Sequence, residues 1–215
     1  MNFIYLALFV LATGVHLYAS ATFNKKLRAI SKPVILFSLL IYYLHAVSNP
    51  SVFVIGAILL SWLGDLLLIP HGIGWFTAGG VSFLGSHILF IFAYLEKVNV
   101  FVSPWYIYGI FGVFYLLSTI FIYIKLTKFM PHGLAIPMAL YLLVNAAMNC
   151  FAIFRLFACV NPGSIITVVG AAMFFVSDAI LFFVRFDKNS KLKSHFPVMI
   201  FYCLAELLIV LGFVI

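Results

Sequence analysis

The chain holds only five acidic residues in 215, and both Asp65 and Asp178 stand in the middle of apolar runs. Asp65 lies in Ser61-Trp62-Leu63-Gly64-Asp65-Leu66-Leu67-Leu68, and Asp178 in Val176-Ser177-Asp178-Ala179-Ile180-Leu181. An ionisable group placed in hydrocarbon is costly, so each is a functional candidate by default. Carboxyls in such surroundings can donate and accept protons, steady a developing cation, or carry a proton or cation across a bilayer. A purely structural pair is the bland alternative.

Other polar residues fall on helical stripes. Tyr141, Asn145 and Asn149 recur at i, i+4 and i+8; His195, Tyr202 and Glu206 share one face; Ser61 precedes Asp65 by one turn, and Ser177 adjoins Asp178. Such stripes turn toward protein or a wet cavity, and hydrogen bonding between helices competes with site lining as the explanation. His87, near the middle of its span, is read either as a hydrogen-bonded core residue or as part of a site. Gly79, Gly80 and Gly85 suit close helix packing better than ligand approach.

Several chemistries lack support. The six histidines have no HxxxH or HxxE spacing, so no metal is expected. Cys150, Cys159 and Cys203 are odd in number and sit in or beside apolar stretches, unlike a disulfide framework. There is no Gly-x-Ser-x-Gly elbow, P-loop or GxGxxG, and no cofactor is implied.

The elements that must position these groups follow from composition. With 66% hydrophobic, 18% aromatic and 8% charged residues, the chain cannot cover itself with polar surface as a soluble domain does at about 25% charged. Its solvent is lipid. Runs bounded by Pro, Gly, Asn or charge give eight spans, 3–22, 33–47, 52–69, 75–95, 104–125, 133–156, 163–184 and 196–215. The expectation is an all-α, polytopic membrane bundle of eight transmembrane helices forming one domain over 1–215, with a short second span and a long sixth.

The net charge of +7 is placed in clusters, Lys25, Lys26, Arg28 and Lys32 in one, Arg185, Lys188, Lys191 and Lys193 in another. These are topology signals rather than a continuous basic face for nucleic acid. With Lys125 and Lys128, ten positive residues fall on one side of the eight-span arrangement, against Lys97 and Arg155 on the other. Those ten belong in the cytoplasm, leaving both termini on the far side of a cell membrane, a bacterial inner membrane in preference to the endoplasmic reticulum. The first span could be taken for a secretory signal ending at Ala19-Ser20-Ala21, but a basic leader is missing and four positive residues follow at once.

Asp65 lies five residues before Pro70 and Asp178 seven before Arg185, so both should sit roughly 7–11 Å inside the cytoplasmic boundary, at about 1.5 Å per residue. Carboxyls at one depth could share a cavity. A faint echo relates Gly64-Asp65-Leu66-Leu67-Leu68 to Ser177-Asp178-Ala179-Ile180-Leu181, and Ser86-His87 to Ser194-His195, as a parallel duplication of four spans would.

At these residues the chain resembles the YhhN family, lysoplasmalogenase-like multi-pass membrane proteins. The resemblance rests on Ser31-Lys32-Pro33 opening span two, Leu63 to Leu68 with Pro70, Phe83 and His87, Asn145 and Met148, Phe175 to Ile180, and Tyr202 with Ala205. No single motif is diagnostic; order and spacing together are fairly specific. One departure is Glu206, where Gln is expected after Tyr-x-x-Ala. The resemblance implies hydrolysis of the vinyl ether bond of lysoplasmalogens, to a fatty aldehyde and a glycerophospho-base, without a metal, with Asp65 and Asp178 as the acidic pair.

The residue types suit that chemistry. Protonation of the alkene carbon gives an oxocarbenium ion that water captures, much as two carboxylates serve glycoside hydrolysis. Burial favours a neutral carboxyl, and two carboxyls in one site favour sharing a proton, so Asp65 and Asp178 would divide the roles of acid and anion. Which is the acid is not legible. Lys32 could hold the phosphate of a lysophospholipid substrate whose chain lies among membrane lipids, or be a surface topology residue; Tyr141, Asn145 and His87 could position water, and Ser61, Ser177, Tyr202 and Glu206 complete the candidate lining. Two other readings remain, a proton- or cation-coupled transporter using the same aspartates, and a lipid-binding scaffold with no chemistry.

Overall fold

The structure is a computed structural model that describes residues 2–96, 98–187 and 195–215. Lys97, Lys188, Lys191, Lys193 and Ser194, which enter the charge count and the internal comparison, lie outside the described residues. Among the described residues the chain forms eight α-helices and no strand: α1 Asn2–Ala21, α2 Lys25–Ala46, α3 Val52–Leu67, α4 Ile73–Leu95, α5 Trp105–Leu126, α6 Ala135–Ala158, α7 Pro162–Phe186 and α8 Phe196–Val214. Helices are what a chain without water must form, because each satisfies its own backbone polar groups. Seven are long and apolar enough to cross a membrane; α3 is the shorter one. Its 16 residues reach about 24 Å, against a hydrocarbon thickness of about 30 Å.

One boundary differs by about two turns from that read off the sequence. The second helix is 22 residues long and begins at Lys25, so Ser31, Lys32 and Pro33 stand inside it instead of opening it. Asn24 caps it, its side chain accepting from Leu27 N–H at 3.1 Å, and the helix continues through Pro33. The proline and the four charges look like a stop signal only when the cap is overlooked. The short span is therefore α3, not α2.

The chain divides into two compact units, Met1–Ala93 with Val214, and Tyr94–Phe213 with Ile215. In the first, α2 packs against both α1 and α3. His16 Nδ1 and Ser31 Oγ meet at 2.9 Å, and the Trp62 indole N–H donates to Pro33 O at 2.8 Å. Gly64 lies where Phe83 crosses it: a Cβ there would come within 2.7 Å of the ring. Gly79 and Gly85 also permit packing, against Leu68 and Leu60, whereas Gly80 faces open space.

In the second unit, α6 packs between α5 and α7. Tyr115, Ala146, Ile153 and Phe175 form the heart of its core. The capping box at Asn161 and Ser164 starts α7, whose Pro162 occupies the first turn where its missing N–H is harmless. Helix α8 lies so close to α7 that a Cβ on Gly170 would sit 2.9 Å from Ala205 O and Ile209 N. That obstacle is backbone and cannot rotate away. Gly170→Ala is therefore expected to cost about 1–3 kcal/mol and to lower the unfolding temperature in detergent, while Gly80→Ala, meeting nothing, should stay within about 0.5 kcal/mol.

Candidate functional site

Asp65 is buried on α3 and faces α2, where Lys32 Nζ stands 3.0 Å from its Oδ1. Both partners are withdrawn from solvent, with side-chain exposures of 13% for Lys32 and 3% for Asp65. At such burial the ammonium is the carboxylate's counter-charge and not a surface topology signal. The pair exists because α2 begins early enough to carry Lys32 into its second turn. One turn before Asp65, Ser61 Oγ meets Ser86 Oγ at 2.8 Å and ties α3 to α4. His87 is fully buried on α4 and engages the backbone of Phe83, one turn earlier on its own helix.

Asp178 belongs to the second unit and has different company. Tyr141 O–H donates to its Oδ2 at 2.6 Å, and Asn145 Nδ2 donates to the same oxygen at 2.7 Å. Both donors come from α6, one turn apart, so the i, i+4 spacing of the sequence becomes a two-pronged clamp on one atom. The Tyr141 ring is held edge-on by Phe182, with centroids 5.3 Å apart. These two donors are neutral, whereas the partner of Asp65 is a cation.

The remaining candidates serve varied ends. Ser177 Oγ donates to Val198 O at 3.0 Å and so ties α7 to α8. Tyr202 packs edge-on against Phe174 at 5.5 Å. Glu206 is fully buried on α8, within electrostatic reach of Tyr141 and Tyr94; Arg155, also within reach of Tyr94, lies over the Phe213 ring at 4.3 Å. Sequence reasoning treated Arg155 only as a topology charge, and passed over Tyr115, whose hydroxyl donates to Asn149 Oδ1 at 3.1 Å. Among the described residues no group of three or more His, Cys, Asp and Glu gathers as a metal site would.

Helices of this length and apolarity, carrying carboxyls held inside them, define a multi-pass membrane protein. A family model for the YhhN family matches residues 27–213. The chain belongs to that family. Neither the curated proteins nor the solved structures contain a match to it.

The Lys32–Asp65 pair yields a direct test. Removing one partner of a buried pair leaves an uncompensated charge, at a cost of about 3–5 kcal/mol, while replacing both by apolar groups is often neutral. Lys32→Met should destabilise the purified protein by that amount, and adding Asp65→Leu should recover most of the loss in a thermal melt. A double variant no more stable than Lys32→Met would mean that the two charges are not partners.

Proposed function

We propose that this protein is a lysoplasmalogenase-like hydrolase, cleaving the vinyl ether bond of a lysophospholipid by acid catalysis, with Asp178 as the proton donor and Asp65 as a permanent carboxylate. Membership of the family supports the reaction class. The observation that carries the assignment of roles is the unequal company of the two carboxyls. Asp65 has a cation, the Lys32 ammonium, at 3.0 Å as its counter-charge. Asp178 is held by two uncharged donors on a single oxygen, which steady a negative charge less than a cation does.

The reaction balances with one water. Asp178 gives its proton to the alkene carbon remote from the ether oxygen; a C–H bond forms from the π pair, and positive charge is shared by the other vinyl carbon and the oxygen. Water adds to that carbon and returns a proton to Asp178. The hemiacetal then transfers its hydroxyl proton to the glycerol oxygen as that C–O bond breaks, releasing the fatty aldehyde and the glycerophospho-base. Tyr141 and Asn145 hold Asp178 in one orientation throughout. Asp65 keeps the Lys32 ammonium as its counter-charge.

Purified protein in detergent, with no membrane gradient, is expected to release aldehyde from lysoplasmalogen but not from the corresponding lysolipid with a saturated ether. Asp178→Asn should lower kcat about 10²–10⁴-fold, the usual contribution of a positioned general acid, in protein that melts as the parent does. Substrate uptake that depends on a gradient, with no aldehyde formed, would instead establish a transporter.

A further inference from the structure

The bonds to Asp178 do not end at Asn145. Asn149 Nδ2 donates to Asn145 Oδ1 at 3.1 Å and to the Asn145 backbone carbonyl at 3.0 Å. Tyr115 O–H, on α5, donates to Asn149 Oδ1 at 3.1 Å. Tyr115, Asn149, Asn145 and Asp178 thus form one chain of donors pointing the same way, and all four are buried.

The direction of the chain is set by its two ends. An amide has one donating and one accepting end, and the two are nearly alike in shape. The carboxyl oxygen of Asp178 requires the N–H₂ of Asn145, which turns Asn145 Oδ1 toward Asn149. Asn149 must then present its own N–H₂ there, leaving its Oδ1 to face α5. Only a donor can meet that oxygen, and the phenol of Tyr115 is one. Its ring is fixed edge-on to Phe175, centroids 5.4 Å apart and planes at 84°, so the hydroxyl is aimed by packing rather than by chance.

We infer that Tyr115 is a positioning residue for Asp178, acting through Asn149 and Asn145 to keep the Asn145 amide turned toward the carboxyl. The inference rests on the catalytic role proposed above for Asp178. Without the Tyr115 hydroxyl, Asn149 Oδ1 is a buried acceptor lacking this donor, and only the bonds of its Nδ2 to Asn145 hold the Asn149 amide in orientation. A flipped Asn145 would set a carbonyl against the carboxyl oxygen.

Tyr115→Phe removes the hydroxyl and keeps the ring. With lysoplasmalogen as substrate, kcat is expected to fall about three- to tenfold, the worth of one hydrogen bond, with KM changed less than about twofold because no substrate contact is lost. On an Asn149→Ala background the same substitution should have no further effect on kcat, since the link it acts through is gone. In protein labelled with ¹⁵N asparagine, the Asn145 side-chain amide, assigned by its disappearance in Asn145→Leu, should shift in Tyr115→Phe. Asn149→Ala, which breaks the chain one link nearer the carboxyl, gives a second variant for the same readout. An unchanged kcat and an unmoved amide signal in folded Tyr115→Phe would overturn the inference, as would additive losses in the double variant. A wild-type protein that forms no aldehyde would refute the proposed reaction instead, and the amide shift would still decide whether the chain holds Asn145.

Discussion

A carboxyl group enclosed by helices and lipid is withdrawn from bulk water, so much of the charge and hydrogen bonding it needs must come from a neighbouring helix. That constraint explains why so few polar residues occur inside the spans and why Asp65 and Asp178 have specific partners. Asp65 draws an ammonium from α2, and Asp178 draws a phenol and an amide from α6. The packing of each unit can be understood as the means of keeping those donors in place. Gly64 lets Phe83 press on α3 one residue from Asp65, and Gly170 brings α8 onto α7 two turns before Asp178.

The two units answer the same requirement in parallel fashion. In each, the aspartate is on the third of four helices and its partners come from the second; in each, a serine of the third helix bonds to the fourth, Ser61 to Ser86 and Ser177 to the carbonyl of Val198. The partners differ in charge, and that difference matters chemically. A carboxylate neutralised by lysine suits a lasting anion, while one held by neutral donors suits a group that gives up and regains a proton. The same structural plan thus yields two unlike carboxyls.

Much of this was legible in the sequence because lipid imposes simple rules. The eight apolar segments, the two intramembrane aspartates and the Tyr141, Asn145, Asn149 stripe all follow from hydropathy and helical spacing. The start of α2 was obscured by Pro33, which halts helix reasoning even where a cap at Asn24 and packing on α1 and α3 carry the helix through. That error hid the position of Lys32, and with it the ion pair. Tyr115 was illegible for a different reason: it is one of eleven tyrosines and comes to Asn149 from 34 residues away, a meeting that only tertiary packing creates. A tyrosine on a mostly exposed span, with Gly112 and Thr119 about one turn to either side, is the hint.

The claim on which the account turns is that one aspartate holds a proton and the other a charge. Infrared spectra of protein carrying ¹³C-labelled aspartate separate the carbonyl stretch of a carboxylic acid from the paired stretches of a carboxylate, and only Asp65, Asp178 and Asp187 contribute. A labelled acid band is expected at neutral pH, one that vanishes in Asp178→Asn and survives in Asp65→Asn. An acid band that survives in Asp178→Asn, or that disappears with Asp65, would contradict it.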